Sequence, residues 1–331
     1  MTEPSFRSYV ERRERETHGG TDERTRYAYG PDLKMLRAFR RMRPLEAGVG
    51  EIVRRYEGVL RNQFLGTTVR VGPKQLPGLH ALAKSCAETL DVPLPTLYVV
   101  NDPRMNAFTF GTDKEAFIVL HSQLIDHMDE TELKFVIGHE MGHVQNKHVV
   151  YGTALQILRS PVAVLSAVLR LLLPIDAALR GALLAWARNA EITCDRAGLL
   201  CCGDLDAATR SFLKIACGST KLYAELDVDA YLEQLEDGRK GVGRLGELGA
   251  SHPYLPKRIQ ALRLFAESAY YQRALGESEE GIADMVEVDR QVAEILRIVR
   301  KPTEAPAALA AVDDAGGAET VEQTETQGEE A

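Results

Sequence analysis

His139-Glu140-Met141-Gly142-His143 decides how this chain of 331 residues is read. On an α-helix, residues four apart lie about 40° apart around the axis. His139 and His143 therefore project from one face, where they can share a metal ion. Glu140 follows the first histidine and can reach a water on that metal as general base. Gly142 leaves room beside the two imidazoles. With only eight histidines in the chain, the pattern arises by chance in roughly two of a hundred such sequences. The plainer reading is two histidines on a solvated helix, and the apolar Phe135-Val136-Ile137 just upstream weighs against it.

A catalytic zinc takes three protein ligands and keeps one position open, so a third ligand must come from another helix. Glu191-Ile192-Thr193-Cys194-Asp195 is the best supplier, because Glu191 and Asp195 share a helix face within the apolar stretch Trp186–Leu200. Buried carboxylates are costly unless paired or bound to metal. Glu191 is read as the ligand and Asp195 as the acceptor that orients a zinc histidine through its other nitrogen. The alternative is that the two carboxylates pair with Arg188 and Arg196. Cys194 reads as a buried small hydrophobe. His148 lies five residues after His143, about 140° around the same helix, and reads as helix-end packing.

Working outward, Asp129-x-x-Glu132 is a capping-box variant that starts the histidine helix ahead of Leu133 and Val136. Upstream, Thr96–Val100, Ala107–Phe110 and Ala116–Leu120 are short strand candidates separated by turn residues. Leu79, Leu82, Ala83, Cys86, Ala87 and Leu90 form one helical face, and Val288, Val292, Ile295, Leu296 and Val299 another. The expected class is α+β, mostly helical, with a small antiparallel sheet and a zinc-binding helix. Residues 149–187 are the most apolar part, but their longest uncharged apolar runs, Val149–Leu158 and Ser160–Leu169, have ten residues each. A spanning helix needs about 20. The segment reads as a buried or interfacial helical hairpin, with peripheral membrane contact and self-association as the alternatives.

Forty basic and 48 acidic residues give a net charge of −8, and the last thirty residues carry eight carboxylates and no Lys or Arg. Residues 1–301 are therefore neutral, which excludes a globally basic nucleic-acid binder. Five cysteines without staple-like spacing fit a reducing compartment. The charged start of the chain lacks the apolar stretch of a signal peptide, so a cytoplasmic location is expected, with the membrane surface as the alternative. The expected organisation is a charged helical region over 1–65, a zinc-binding domain over 66–301, and a disordered acidic tail over 302–331.

Four elements occur in order: Asn106-Ala107-Phe108-Thr109-Phe110-Gly111, His139–His143, Glu191 with Asp195, and Ser251-His252-Pro253 with Arg258. Together, over about residues 66–270, they resemble the HtpX-like zinc metallopeptidases, a gluzincin family that includes the CAAX prenyl endopeptidases. The resemblance implies a zincin-like core with one Zn²⁺ per chain, held by His139, His143 and Glu191, and Glu140 as base in peptide hydrolysis. It implies that Asp195 and Arg258 brace the ligands. It also implies that Asn106, Ala107 and Phe108 belong to an edge strand where an extended peptide or unfolded protein adds by backbone hydrogen bonds. His252 would lie near the zinc as an oxyanion donor or a removable fourth ligand; a cap for the helix that Pro253 begins is the structural alternative. The opposing functional reading is a catalytically silent, zinc-stabilised peptide-binding or membrane-associated quality-control protein. Glu140 argues for the enzyme, since a purely structural metal site needs no base there.

Overall fold

A computed structural model describes residues 26–41, 50–51, 53, 66–112, 115–159, 177–238, 242–276 and 282–298. Most of the charged N-terminal region, the apolar run Ser160–Leu169 and the acidic tail lie outside the described residues. The chain divides into two units, Met1–Leu296 and Arg297–Ala331. The account below concerns the first.

Its elements run α1 (Gly30–Arg41), β1 (Thr68–Arg70), α2 (Pro77–Thr89), β2 (Thr96–Val100), β3 (Ala107–Gly111), β4 (Ala116–His121), α3 (Ser122–His127), α4 (Glu130–Gln145) and α5 (Val149–Arg159). There follow α6 (Ala177–Cys202), α7 (Leu205–Cys217), α8 (Thr220–Tyr223), α9 (Val228–Gly238), a 3-10 turn (Val242–Gly249), α10 (Leu255–Ala266), α11 (Ala269–Leu275) and α12 (Met285–Leu296). Among the described residues, no helix is long and apolar enough to cross a membrane.

The four described strands lie in the order β1-β2-β4-β3. β2 and β4 are parallel, while β1 with β2 and β3 with β4 are antiparallel. The sheet is thus mixed where the sequence suggested an antiparallel one. Short turns reverse successive strands, but burial decides who neighbours whom. All six residues of β4, Ala-Phe-Ile-Val-Leu-His, are buried, so β4 takes the centre, flanked on both sides. That leaves β3 as an edge. Gly111 ends it with φ at +121°, and a Cβ there would meet the Glu115 carbonyl oxygen at 2.2 Å.

α4 starts as its sequence demands: Asp129 accepts from Thr131 and Glu132 N–H groups, and Glu132 accepts from the Asp129 N–H. Glu132 is itself fully buried, and Arg210 and Lys214 of α7 pair with it. This helix runs through the centre of the main core, packed most extensively against α6 and also against α2, α7 and the sheet. The α4–α6 crossing is tight because glycines line it. A Cβ on Gly142 would sit 2.8 Å from Ala197 Cβ and 3.1 Å from Cys194 Cα, and one on Gly198 2.6 Å from the Phe135 carbonyl oxygen. The space beside the histidines that Gly142 leaves is filled by the helix that carries Glu191.

Candidate metal centre and active site

The close crossing sets the His139/His143 face of α4 against the Glu191/Asp195 face of α6. His139 Nε2 lies 3.5 Å from Glu191 Oε2, and His143 Nε2 lies 3.6 Å from Glu191 Oε1. These spacings are too long for hydrogen bonds and close to the edge of a tetrahedron of Zn–N and Zn–O bonds, about 3.4 Å. Glu191 Oε2 is buried without a hydrogen-bond partner; Arg258 Nη1 stands 3.1 Å from it, out of line for donation. A buried carboxylate that sets one oxygen against each of two imidazole nitrogens, and whose Oε2 accepts no hydrogen bond, fits a metal ion. Burial pushes the Glu191 carboxyl up, but His252, Arg258, His139 and His143 outweigh it and hold the group at about 2, so it is an anion.

The groups behind these residues decide how the rings are held. Asp195 Oδ1 is 2.9 Å from His139 Nδ1, which places a proton on Nδ1 and turns the Nε2 lone pair toward Glu191. Burial disfavours protonated His139, yet Asp195 and Glu191 raise its pKa overall. Arg258 grips Asp195 with two donors, Nε to Oδ2 at 2.8 Å and Nη2 to Oδ1 at 2.5 Å, and lies over the Phe212 ring. The alternative pairing is absent. Arg196 pairs with Asp289, and Arg188 donates to the carbonyls of Glu247, Leu248 and Ala250.

Glu140 leaves α4 beside His139 and reaches toward the edge strand. Thr109 of β3 donates to its Oε2 at 2.6 Å. Burial raises the carboxyl above its ordinary 4.5, while His139 and the Thr109 hydroxyl pull it back. A cavity of about 620 Å³ opens here, bordered by Asn106, Ala107, Phe108 and Thr109 on one side and by Trp186, Ala187 and Ala190 on the other. His252 stands at its mouth, its side chain 61% exposed, with Nε2 3.5 Å from Glu191 Oε1 and Nδ1 2.9 Å from Ser251 Oγ. It does not cap α10, whose N-cap is Tyr254.

The edge strand is accessible over part of its length. Asn106 C=O accepts from His121 N–H, so by alternation Ala107, Thr109 and Gly111 turn their backbone groups away from β4. Gln156 of α5 donates to the Thr109 carbonyl, and Thr153 accepts from Gly111 N–H. The outward groups of Ala107 are left facing the cavity.

One residue sits differently from its reading in the sequence. The 140° separation of His148 from His143 assumed one continuous helix, but α4 stops at Gln145 and Lys147 turns the chain with φ at +60°. His148 opens α5 and lies behind His143, Nδ1 to Nδ1 at 3.3 Å. Cys194 Sγ is 3.7 Å from it, and burial raises that thiol well above its ordinary value. His148, its neighbour Asp32 and the Thr109 hydroxyl on Glu140 were not expected from the sequence. A chain break after Lys147 has no spacing signature, and Asp32 lies more than a hundred residues away.

The family model for peptidase family M48 matches residues 73–266. The plastoglobule-localized metallopeptidase 48 of Arabidopsis thaliana chloroplasts is 37% identical over 179 residues, 54% of this chain and 51% of that protein. Protease HtpX homologs of Streptococcus pyogenes are 31% identical over 99 residues, 30% of this chain and 33% of theirs. The chain thus spans about half the length of the first relative and a third of the others. No solved structure matches it. A match that covers more than half of the chain, and takes in both packed helices and the turn with His252, makes this protein a member of peptidase family M48.

Proposed function

We propose that the protein is a zinc-dependent endopeptidase acting on peptides or unfolded proteins, with one zinc per chain held by His139, His143 and Glu191. The observation that carries this reading is the buried Glu191 carboxylate, one oxygen set against each imidazole and Oε2 accepting no hydrogen bond, with a second buried carboxylate, Glu140, on the same helix as the two histidines. Zinc held there supplies a Lewis acid that lowers the pKa of a water to about 7 and polarises a carbonyl.

The chain's own residues do the rest. An extended substrate pairs with the outward backbone groups of Ala107, flanked by Asn106 and Phe108, and lays its scissile carbonyl across the cavity. Glu140 takes the proton of the attacking water and passes it to the leaving amine. Asp195, clamped by Arg258, keeps His139 in the tautomer that offers Nε2. His252 reaches in from the exposed turn and donates to the developing oxyanion. Pairing through backbone groups favours broad sequence tolerance.

The test measures zinc per chain and casein cleavage in wild type, Glu140→Gln and His252→Ala. Glu140→Gln should keep its zinc and lose about 10²- to 10⁴-fold in rate. His252→Ala should keep its zinc with a changed kcat. Cleavage at the wild-type rate by Glu140→Gln would remove Glu140 from the mechanism. Loss of zinc from His252→Ala would make that residue a ligand instead.

A further inference from the structure

His143 has two ring nitrogens, and the fold occupies both. Nε2 faces Glu191, while Nδ1 lies 3.3 Å from His148 Nδ1. The far nitrogen of His148, Nε2, lies 3.1 Å from Asp32 Oδ2. Asp32 comes from the first turn of α1, ahead of the residues matched to the family, and has no exposed surface. Trp186 Nε1 donates to its Oδ1 at 2.9 Å, and Thr193 Oγ1 donates to its Oδ2 at 2.6 Å. The chain around it is strapped to the same helices: Tyr29 N–H donates to Thr193 Oγ1, and Arg196 donates to the Tyr27 carbonyl.

Only one proton arrangement satisfies this row when His143 offers Nε2 to a metal. His143 Nδ1 then carries a proton and donates to His148 Nδ1. His148 Nε2 stands 3.1 Å from Asp32 Oδ2 without the alignment of a hydrogen bond, so the carboxylate acts on the ring through its charge. A carboxylate buried this completely needs such partners to be tolerated. The Trp186 indole N–H and the Thr193 hydroxyl donate to it, and the His148 ring stands 3.1 Å away.

We infer that His148 and Asp32 are positioning residues for His143: a His-His-Asp row, ending on the N-terminal helix, fixes the tautomer and tilt of the second metal-binding histidine. The inference rests on the reading of His143 as a ligand. It parallels the Asp195–His139 contact, so each histidine is held by an acid from a different part of the chain. α1 lies ahead of the residues matched to the family, so this support comes from outside that match.

The experiment uses the full chain and measures zinc affinity by competition with a chromophoric chelator, alongside the visible spectrum of the Co²⁺-substituted protein. It runs at a temperature where circular dichroism shows each metal-free variant folded. Asp32→Asn, which turns a donor toward His148, and His148→Phe, which cannot accept, should bind zinc about 10- to 100-fold more weakly and shift the Co²⁺ bands. His148→Gln, which can still accept from His143 Nδ1, should recover part of the affinity. If Asp32→Asn fails to fold, the His148→Phe and His148→Gln pair decides.

Wild-type affinity and spectrum in both Asp32→Asn and His148→Phe, with zinc lost from His143→Ala, would overturn the inference and leave the ligand reading intact. Zinc retained by His143→Ala would show that the ligand reading itself is wrong. A second zinc in wild type, lost on Cys194→Ala, would also overturn it, since the His143–His148–Cys194 cluster would then be a metal site.

Discussion

Glu140 feels two opposed influences. Burial raises its carboxyl, and the Thr109 hydroxyl, donating at 2.6 Å, favours the ionised form. A base must be ionised, so activity is lost as pH falls through the pKa of Glu140. Thr109→Val removes a donor to the anion, which pushes the carboxyl further up. The acid limb of kcat/KM should move to higher pH in that variant while the alkaline limb stays. An unmoved acid limb would mean that Glu140 does not set it. At this scale the sequence said much: the two histidines, Glu140, Glu191 and Asp195 are read from helical spacing alone. Thr109 was visible only as a strand residue, because its register against α4 depends on how the sheet stacks on that helix.

At the scale of elements, the α4–α6 crossing governs the site. Gly138, Gly142 and Gly198 let the helices approach until any added Cβ meets the partner at 2.6–2.8 Å. Gly142→Ala recovers up to about 1 kcal/mol of helix propensity, while overpacking costs about 1–3 kcal/mol. The contact is to Ala197 Cβ and the Cys194 backbone, which cannot swing aside. We expect a lower urea midpoint for the metal-free variant and weaker zinc binding, because the histidine face retreats from Glu191. Unchanged affinity would show that the crossing tolerates more than the distances suggest. Strand limits and the Asp129 cap were legible because they are local, written in turn residues and a box of four. The order of the strands was not, since it follows from the burial of β4, which depends on helices far along the chain. For α4 the amphipathic pattern fails for a physical reason: most of its faces are buried, so periodicity has no polar side to register.

Over the whole molecule, segments far apart in sequence converge on one small volume: β3, α4, α5, α6 and α10 each place a residue at the site of the two histidines, and α1 reaches it through His148. A metal held at that point ties them together, and binding to the folded state alone adds stability by mass action, about 4 kcal/mol at a thousandfold excess over Kd. Dialysis against a chelator should therefore lower the Tm, and stoichiometric zinc should restore it. An unchanged Tm would argue that the metal, if bound, binds the unfolded chain equally well. Long-range closure of this kind is what a linear reading cannot see. Asp32 is an unremarkable acid at a helix start until Trp186 and Thr193 are folded onto it.

The partial cover of β3 bears on how the protein lives in solution. A bare sheet edge is a template for any extended chain, including a neighbouring copy in a concentrated or stressed cell. Gln156 takes up the Thr109 carbonyl and Thr153 the Gly111 N–H, so the open part of the strand is too short to seed a growing stack. The Gln156→Ala/Thr153→Val double variant should lengthen that edge and raise light scattering on storage or mild heating. The same two side chains would then serve as gatekeepers against aggregation, allowing the protein to keep an open strand without becoming a nucleus for its own precipitation.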